Sequence, residues 1–183
     1  MMTVVRRPRW SRSWLSVAAV VAAVGLGLTG CTASTAQSAP VSSAGAAAPA
    51  ASGAFTAHTV TGGQVVVPGS KPTVLFFFSV GCGSCGPESA ALAGVQNAAP
   101  QAANYVAVDV APSETVADIT AFLAQNHASS LAYASDSNAQ LISAYQVQDL
   151  SSVVVINRAG TVVFRGVEPS AGQIRDAVTK AGS

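Results

Sequence analysis

Charge is scarce in this chain, with nine basic and eight acidic residues among 183, two histidines and three cysteines. Four of the basic residues (Arg6, Arg7, Arg9, Arg12), both tryptophans and both methionines fall in residues 1–30. What remains has five basic against eight acidic residues, a formal charge of −3, and no tryptophan. That balance lacks the basic face a nucleic-acid partner needs. Three cysteines cannot build the multi-bridge framework of a small stapled domain. With no second CxxC and no His-x-x-x-His, nothing completes a zinc tetrahedron, so no metal centre is expected. Serine-hydrolase and phosphate-loop signatures are missing too.

What is present begins with a leader. Four arginines precede an uncharged apolar run at residues 14–28, which is shorter than the roughly 20 residues of a spanning helix and ends in small side chains. Residues 1–30 are therefore expected to be a signal peptide. The ending Leu28-Thr29-Gly30-Cys31 resembles a bacterial lipobox, which implies lipidation of Cys31 and anchoring to the outer face of the cell membrane. An ordinary signal with a chance cysteine is the alternative. Arg6-Arg7 would suit twin-arginine export, but Pro8-Arg9-Trp10 fits that pattern poorly. From the acylated Cys31 to residue 54 the chain is Ala, Ser, Thr, Pro and Gly with one Gln and one Val, too apolar-poor to offset ordering. Such a tether has a root-mean-square span of roughly 25 Å.

Residues 55–183 change texture and are expected to form one domain. A short strand is predicted at 64–67, closed by Pro68-Gly69, and the run TVLFFFS at 73–79 suits a central strand buried on both faces. A helix follows, ending near Pro100. NYVAVDV at 104–110 reads as a second buried strand. Pro112-Ser113 with Glu114 is expected to introduce a helix whose Val116, Ile119, Phe122 and Leu123 share a face. A helix at 137–145, a strand at 153–157, a turn at Arg158-Ala159-Gly160, a hairpin partner at 161–166 and a helix at 170–181 complete the order. The alternation predicts an α/β fold, a sheet covered by helices with a hairpin at one side.

Cys82-Gly83-Ser84-Cys85 stands between the apolar strand and the helix. A cysteine at a helix N-terminus meets free N–H groups and the positive end of the helix dipole, which favour its thiolate. Cys82 is thus the candidate nucleophile. Cys85, three positions further on with two residues between, can resolve a mixed disulfide by attacking it. The pair could instead be a buried structural bridge or half of a metal site. His58 and His127 read as surface residues, and Asp109 as a turn-facing carboxylate at a strand end, with help in proton transfer as its alternative role. Ser79 lies three residues before Cys82, where a peroxidase would want threonine, but a CxxC without an upstream proline argues against that chemistry.

Lys71-Pro72, the strand entering CxxC, Val108-Asp109-Val110, Tyr145-Gln146-Val147 and the run 153–160 (VVVINRAG) together resemble the thioredoxin superfamily, in its TlpA/ResA branch of extracytoplasmic, membrane-tethered thiol–disulfide oxidoreductases. The resemblance implies a thioredoxin-like fold with a central mixed sheet flanked by helices. It implies no cofactor beyond the Cys82–Cys85 disulfide. Its expected partners are cysteine-containing exported proteins, apocytochromes among them, and a membrane electron donor or acceptor. It also makes Leu150 and Ser151 a substrate loop. Three residues depart from the pattern. Gly81 replaces the aromatic before the first cysteine, Ser151 replaces a cis-proline, so the Leu150–Ser151 peptide is expected trans, and Pro87 comes earlier in the helix than the family's proline. If the helix begins near Gly86, Cys82 stands further from its dipole. Phe76 occupies the place of a buried carboxylate, so no internal proton acceptor is expected. Ser151 and Gly81 leave open a second function, soft-metal (copper or mercury) binding by the same two thiolates.

Overall fold

The computed structural model describes residues 54–183. The expected signal (residues 1–30), Cys31 and the tether up to residue 53 lie outside the described residues. The elements run β1 (Phe55–Thr59), β2 (Gln64–Val67), β3 (Thr73–Phe78), α1 (Cys85–Ala98), β4 (Asn104–Asp109), α2 (Val116–Gln125), β5 (Ala132–Ser135), α3 (Gln140–Ala144), β6 (Ser152–Ile156), β7 (Val162–Val167) and α4 (Ala171–Gly182).

They form a seven-stranded mixed sheet, ordered β2-β1-β5-β4-β3-β6-β7. β3 is parallel to β4 and antiparallel to β6, and β4 is parallel to β5. This is the flanked central sheet that the alternation of segments predicts. β3 lies inside it with all six residues buried, because successive side chains point to opposite faces and both faces are covered. Val74, Phe76 and Phe78 join Leu92 and Val95 of α1, Ile119, Phe122 and Leu123 of α2, and Ile174 and Val178 of α4. Leu75 and Phe77 join Val106, Val108, Leu141 and Tyr145 on the other face. Each such side chain contributes roughly 1.5–3 kcal/mol by leaving water. Phe78 stacks on Phe122 at 4.9 Å between ring centroids, which ties α2 to the end of β3.

Several boundaries differ from expectation. β1 (FTAHT) and β5 (AYAS) are strands that the sequence pattern does not announce, because their threonines and alanines are weak apolar signals and pairing, not periodicity, orders them. α2 starts after Pro112, Ser113 and Glu114, at Val116, and is capped by Thr115, whose hydroxyl accepts from the Asp118 N–H while the Asp118 carboxylate accepts from Thr115. This reciprocal cap outcompetes an earlier start. The helix expected at 137–145 shrinks to Gln140–Ala144, since the Asp136 carboxylate, upstream of the helix, takes the N–H groups of Leu141 and Ile142 at 2.8 Å each. No helix among the described residues is long and apolar enough to cross a membrane.

Candidate active site

β3 ends at Phe78, and the next residues turn back before α1. The Cys82 N–H donates to the Ser79 carbonyl (3.1 Å) and the Cys85 N–H to the Cys82 carbonyl (3.2 Å). These turns bring the two cysteines to 5.4 Å between α-carbons, where they form a disulfide. Cys85 is fully buried, whereas Cys82 is only partly so and rests against the core. Of the two sulfurs, Cys82 is the accessible one.

α1 begins at Cys85 with Ser84 as its N-cap, so Cys82 stands two residues outside the cap. Pro87 occupies the third helical position, inside the first turn, where its missing N–H removes no intrahelical bond. The Ser84 side chain does not cap the helix. Instead its hydroxyl points toward Cys82, at 3.7 Å from the sulfur. Gly86 packs closely here, because a β-carbon would stand 2.5 Å from the Asn126 carboxamide oxygen at the end of α2 and that side chain would have to shift. Gly81 has open space around it and no positive φ. The surface beside Cys82 is therefore bare where the resemblance expects an aromatic.

Two carboxyl groups, Glu88 and Asp109, are buried elsewhere in the chain, while the Phe76 position carries none. Phe76 is indeed buried and apolar. Glu88, one turn into α1, is 8% exposed, and one of its oxygens is buried without a partner. Burial first, and the facing Glu168 second, push its carboxyl up to about 7. Glu88 and Ser84 line one cleft with Pro87, Glu168 and Pro169, so this carboxyl borders the CxxC turn. Asp109 does face a turn, as expected. One of its oxygens does accept the Ala111 N–H of a turn (3.2 Å), but the residue is fully buried, and burial and a hydrogen bond with Glu114 raise it to about 7. A glutamate in a helix or an aspartate at a strand end ordinarily faces water. Only the packing of distant segments turns these inward, which leaves no local signal. His58 and His127 are both exposed, as read.

Leu150 and Ser151 reach the same end of the sheet, since Ser152 at the start of β6 pairs with Phe77 near the end of β3. Their roles divide sharply. Leu150 is 39% exposed, whereas Ser151 is fully buried at φ 62°, a left-handed conformation costing a non-glycine residue roughly 1–2 kcal/mol. The Leu150–Ser151 peptide is trans. The Ser151 N–H donates to the Phe77 carbonyl and its carbonyl accepts from the Glu168 N–H, both at 2.9 Å. Both main-chain groups of Ser151 are thus used inside the chain. Among the described residues no group of three or more His, Cys, Asp or Glu could hold a metal ion.

The sequence model of the Redoxin family matches residues 43–181. The chain belongs to the Redoxin family. This Redoxin is similar to a Streptomyces lividans protein named mercury resistance operon ORF3, at 43% identity over 122 residues covering 65% of each chain. The match thus spans just under two thirds of that relative's length. Among solved structures, StoA from Bacillus subtilis superimposes with a TM-score of 0.60 at 22% identity, covering 70% of this Redoxin and 98% of StoA. A secreted Mycobacterium tuberculosis disulfide oxidoreductase homologous to DsbE does so with a TM-score of 0.56 at 22% identity, covering 69% and 95%. A putative DsbE from Chlorobium tepidum gives 0.59 at 22%, covering 70% and 93%. This Redoxin therefore has the thioredoxin-like fold of thiol–disulfide oxidoreductases, with a closed CxxC pair at the end of β3.

Proposed function

We propose that this Redoxin is an exported thiol–disulfide oxidoreductase, tethered to the outer face of the cell membrane through lipidated Cys31. The observation that carries this reading is the Cys82–Cys85 disulfide between β3 and α1, with one sulfur open and the other buried. Cys82, beside the α1 N-terminus and the Ser84 hydroxyl, is the group that forms a stable thiolate. In the reducing direction its thiolate attacks a substrate disulfide, forming a mixed disulfide and releasing one substrate thiolate. Cys85 then attacks the Cys82 sulfur, closing the internal disulfide and releasing the second thiolate. Two electrons pass from the dithiol to the substrate, and a membrane donor restores them. The oxidising direction reverses each step and returns electrons to a membrane acceptor. The partners are cysteine-containing exported proteins, docking along Leu150, and the disulfide is the only redox group required.

Soft-metal binding is a second reading, favoured by the relative from a mercury resistance operon. Two thiolates at Cys82 and Cys85 would hold Cu(I) or Hg(II) as cargo, ions that soft sulfur ligands select. One experiment separates the two. In cells producing Cys85→Ala, the unresolved Cys82 should accumulate mixed disulfides with exported proteins, identified by mass spectrometry after acid quenching. If none forms while the reduced wild-type protein binds Hg(II) far more tightly than a simple dithiol peptide, metal binding displaces exchange as the function.

A further inference from the structure

The sheet edge nearest the redox turn offers main-chain groups and hollows that the exchange chemistry above does not use. Among the described residues β7 has β6 as its only strand neighbour, so the backbone groups on its far side pair with no strand. β2 is the other edge, but it lies four strands from β3, whereas β7 lies two. β7 contains neither proline nor lysine, and the irregularity in its pairing, at Val155 and Ile156, falls at the end away from Cys82. An edge without such guards accepts a further strand. Hollows flank it on both faces. On the α4 face, Val163 and Phe164 border one of about 270 Å³ with Ala177 and Lys180. On the Tyr145 face, Arg165 and the exposed Val167 border another of about 280 Å³ with Val147 and Val154. The side chains of an added strand would enter the two alternately.

Two features say what would lie there. Arg165 is exposed, and its Nε donates to the Tyr145 carbonyl (3.1 Å), which holds the guanidinium at the hollow while it bonds no carboxylate among the described residues. At its C-terminal end β7 runs into Glu168 and Pro169, which border a cleft with Ser84 and Pro87 beside the CxxC turn. The edge is thus continuous with the redox site and carries an unmatched positive charge. The Ser151 N–H, in the expected substrate loop, is already given to the Phe77 carbonyl.

We propose that an extended, cysteine-bearing segment of the partner protein docks along the free edge of β7 as a further antiparallel strand, with an acidic side chain against Arg165. This deepens the thiol-exchange reading and rests on it. The added strand lies three strand spacings from β3, about 14 Å, which an extended chain crosses in about four or five residues. Antiparallel pairing sets the N-terminal end of the segment beside Val167, so the substrate cysteine precedes the paired strand by that interval, and the intervening residues cross the cleft between Pro87 and Pro169. A second copy of this chain fits the edge less well, because pairing centred on Arg165 sets like charges opposite each other.

The test uses Cys85→Ala protein and a synthetic peptide whose cysteine, activated as its thionitrobenzoate disulfide, is followed after a short spacer by a strand of valine and threonine with one central glutamate. Once the peptide is linked to Cys82, amide hydrogen exchange across Val163 to Val167 is followed by NMR. The outward amides should exchange at least about tenfold more slowly than in the unlinked protein, and a peptide of the same composition with its cysteine after the strand should leave them unchanged. Linkage without slowing in β7, or equal slowing by both peptides, would overturn the docking. Charge is tested by the linking rate, which should be about threefold higher for the glutamate peptide than for one with lysine in its place, a preference that Arg165→Glu reverses and Arg165→Gln abolishes. A preference that survives both substitutions would remove Arg165 from the site. A dimeric mass for the unlinked protein by light scattering, with β7 amides already protected, would give the edge to a second copy instead. The activated peptide needs no physiological partner, so these readouts stand apart from the trapping experiment. Failure of Cys82 to take up the peptide at all would sink the exchange reading itself, and this one with it.

Discussion

Cys82→Ser should abolish reduction of a small aromatic disulfide, with the rate falling at least about 100-fold to the uncatalysed background at neutral pH. A serine hydroxyl is not a nucleophile toward sulfur under these conditions, and the remaining thiol, Cys85, is fully buried. Cys85→Ser should behave differently. Its open Cys82 still attacks, releasing one equivalent of the aromatic thiol in a burst, and then stops at the mixed disulfide because nothing resolves it. Stopped-flow absorbance of the released thiol distinguishes the two variants directly. A burst from Cys82→Ser and none from Cys85→Ser would reverse the assignment of attacking and resolving sulfurs.

The second large effect concerns stability against pH. Glu88 and Asp109 begin from ordinary values of 4.5 and 3.8, and burial raises both to about 7, assisted by Glu168 in one case and Glu114 in the other. Between about 4 and 7, the folded chain retains protons that the unfolded chain has already released. The folded state is then favoured by acid, so stability is greatest near the lower limit, declines as pH rises through this window, and levels above about 7. Each pH unit of difference corresponds to about 1.4 kcal/mol, and solvent screening and relaxation reduce the combined fall to an order of about 3 kcal/mol. Guanidinium unfolding of the oxidised protein at about pH 5 and pH 8 should show it, and Glu88→Gln should remove roughly half of the difference. Stability that is flat, or that rises across this interval, would show that these carboxyls are hydrated. Asp118 runs the other way, because its hydrogen bonds from Thr115 hold its carboxyl below the ordinary value, and that contribution is lost only under stronger acid.

The parts of this fold that are legible in the sequence are those whose burial is written in consecutive residues. TVLFFFS can be little other than an interior strand, and a CxxC placed directly after it fixes the position of the disulfide before any coordinate is known. β1 and β5 are the opposite case, because FTAHT and AYAS are held by their neighbours in the sheet rather than by their own apolar content. The site divides in the same way. Cys82 and Cys85 are marked by local spacing, while the burial of Glu88 at the start of α1, and the nearness of Glu168, 80 residues later, follow from how distant segments pack. Ser151 shows a third kind of gap. Its departure from proline is visible in the sequence, but its left-handed backbone and its internal hydrogen bonds to Phe77 and Glu168 follow from where β6 and β7 lie.

Ser151 also narrows the docking surface. The Ser151 N–H, already engaged at 2.9 Å, has no donor left for a substrate strand, and under the proposed function contact would fall to the exposed Leu150 and to the bare turn at Gly81 and Val80. Such a surface is less enclosed than one carrying an aromatic before the first cysteine.

All of this rests on Cys82–Cys85 being a working couple and not a structural staple. The direct test is its reduction potential, measured by equilibrating the purified protein with thiol–disulfide buffers of known potential and counting free thiols after acid quenching. A partly exposed attacking sulfur beside a helix N-terminus and a serine hydroxyl stabilises the reduced form, so a value above about −300 mV is expected. A value well below that, with no reduction by the buffers on the timescale of hours, would contradict a role in exchange.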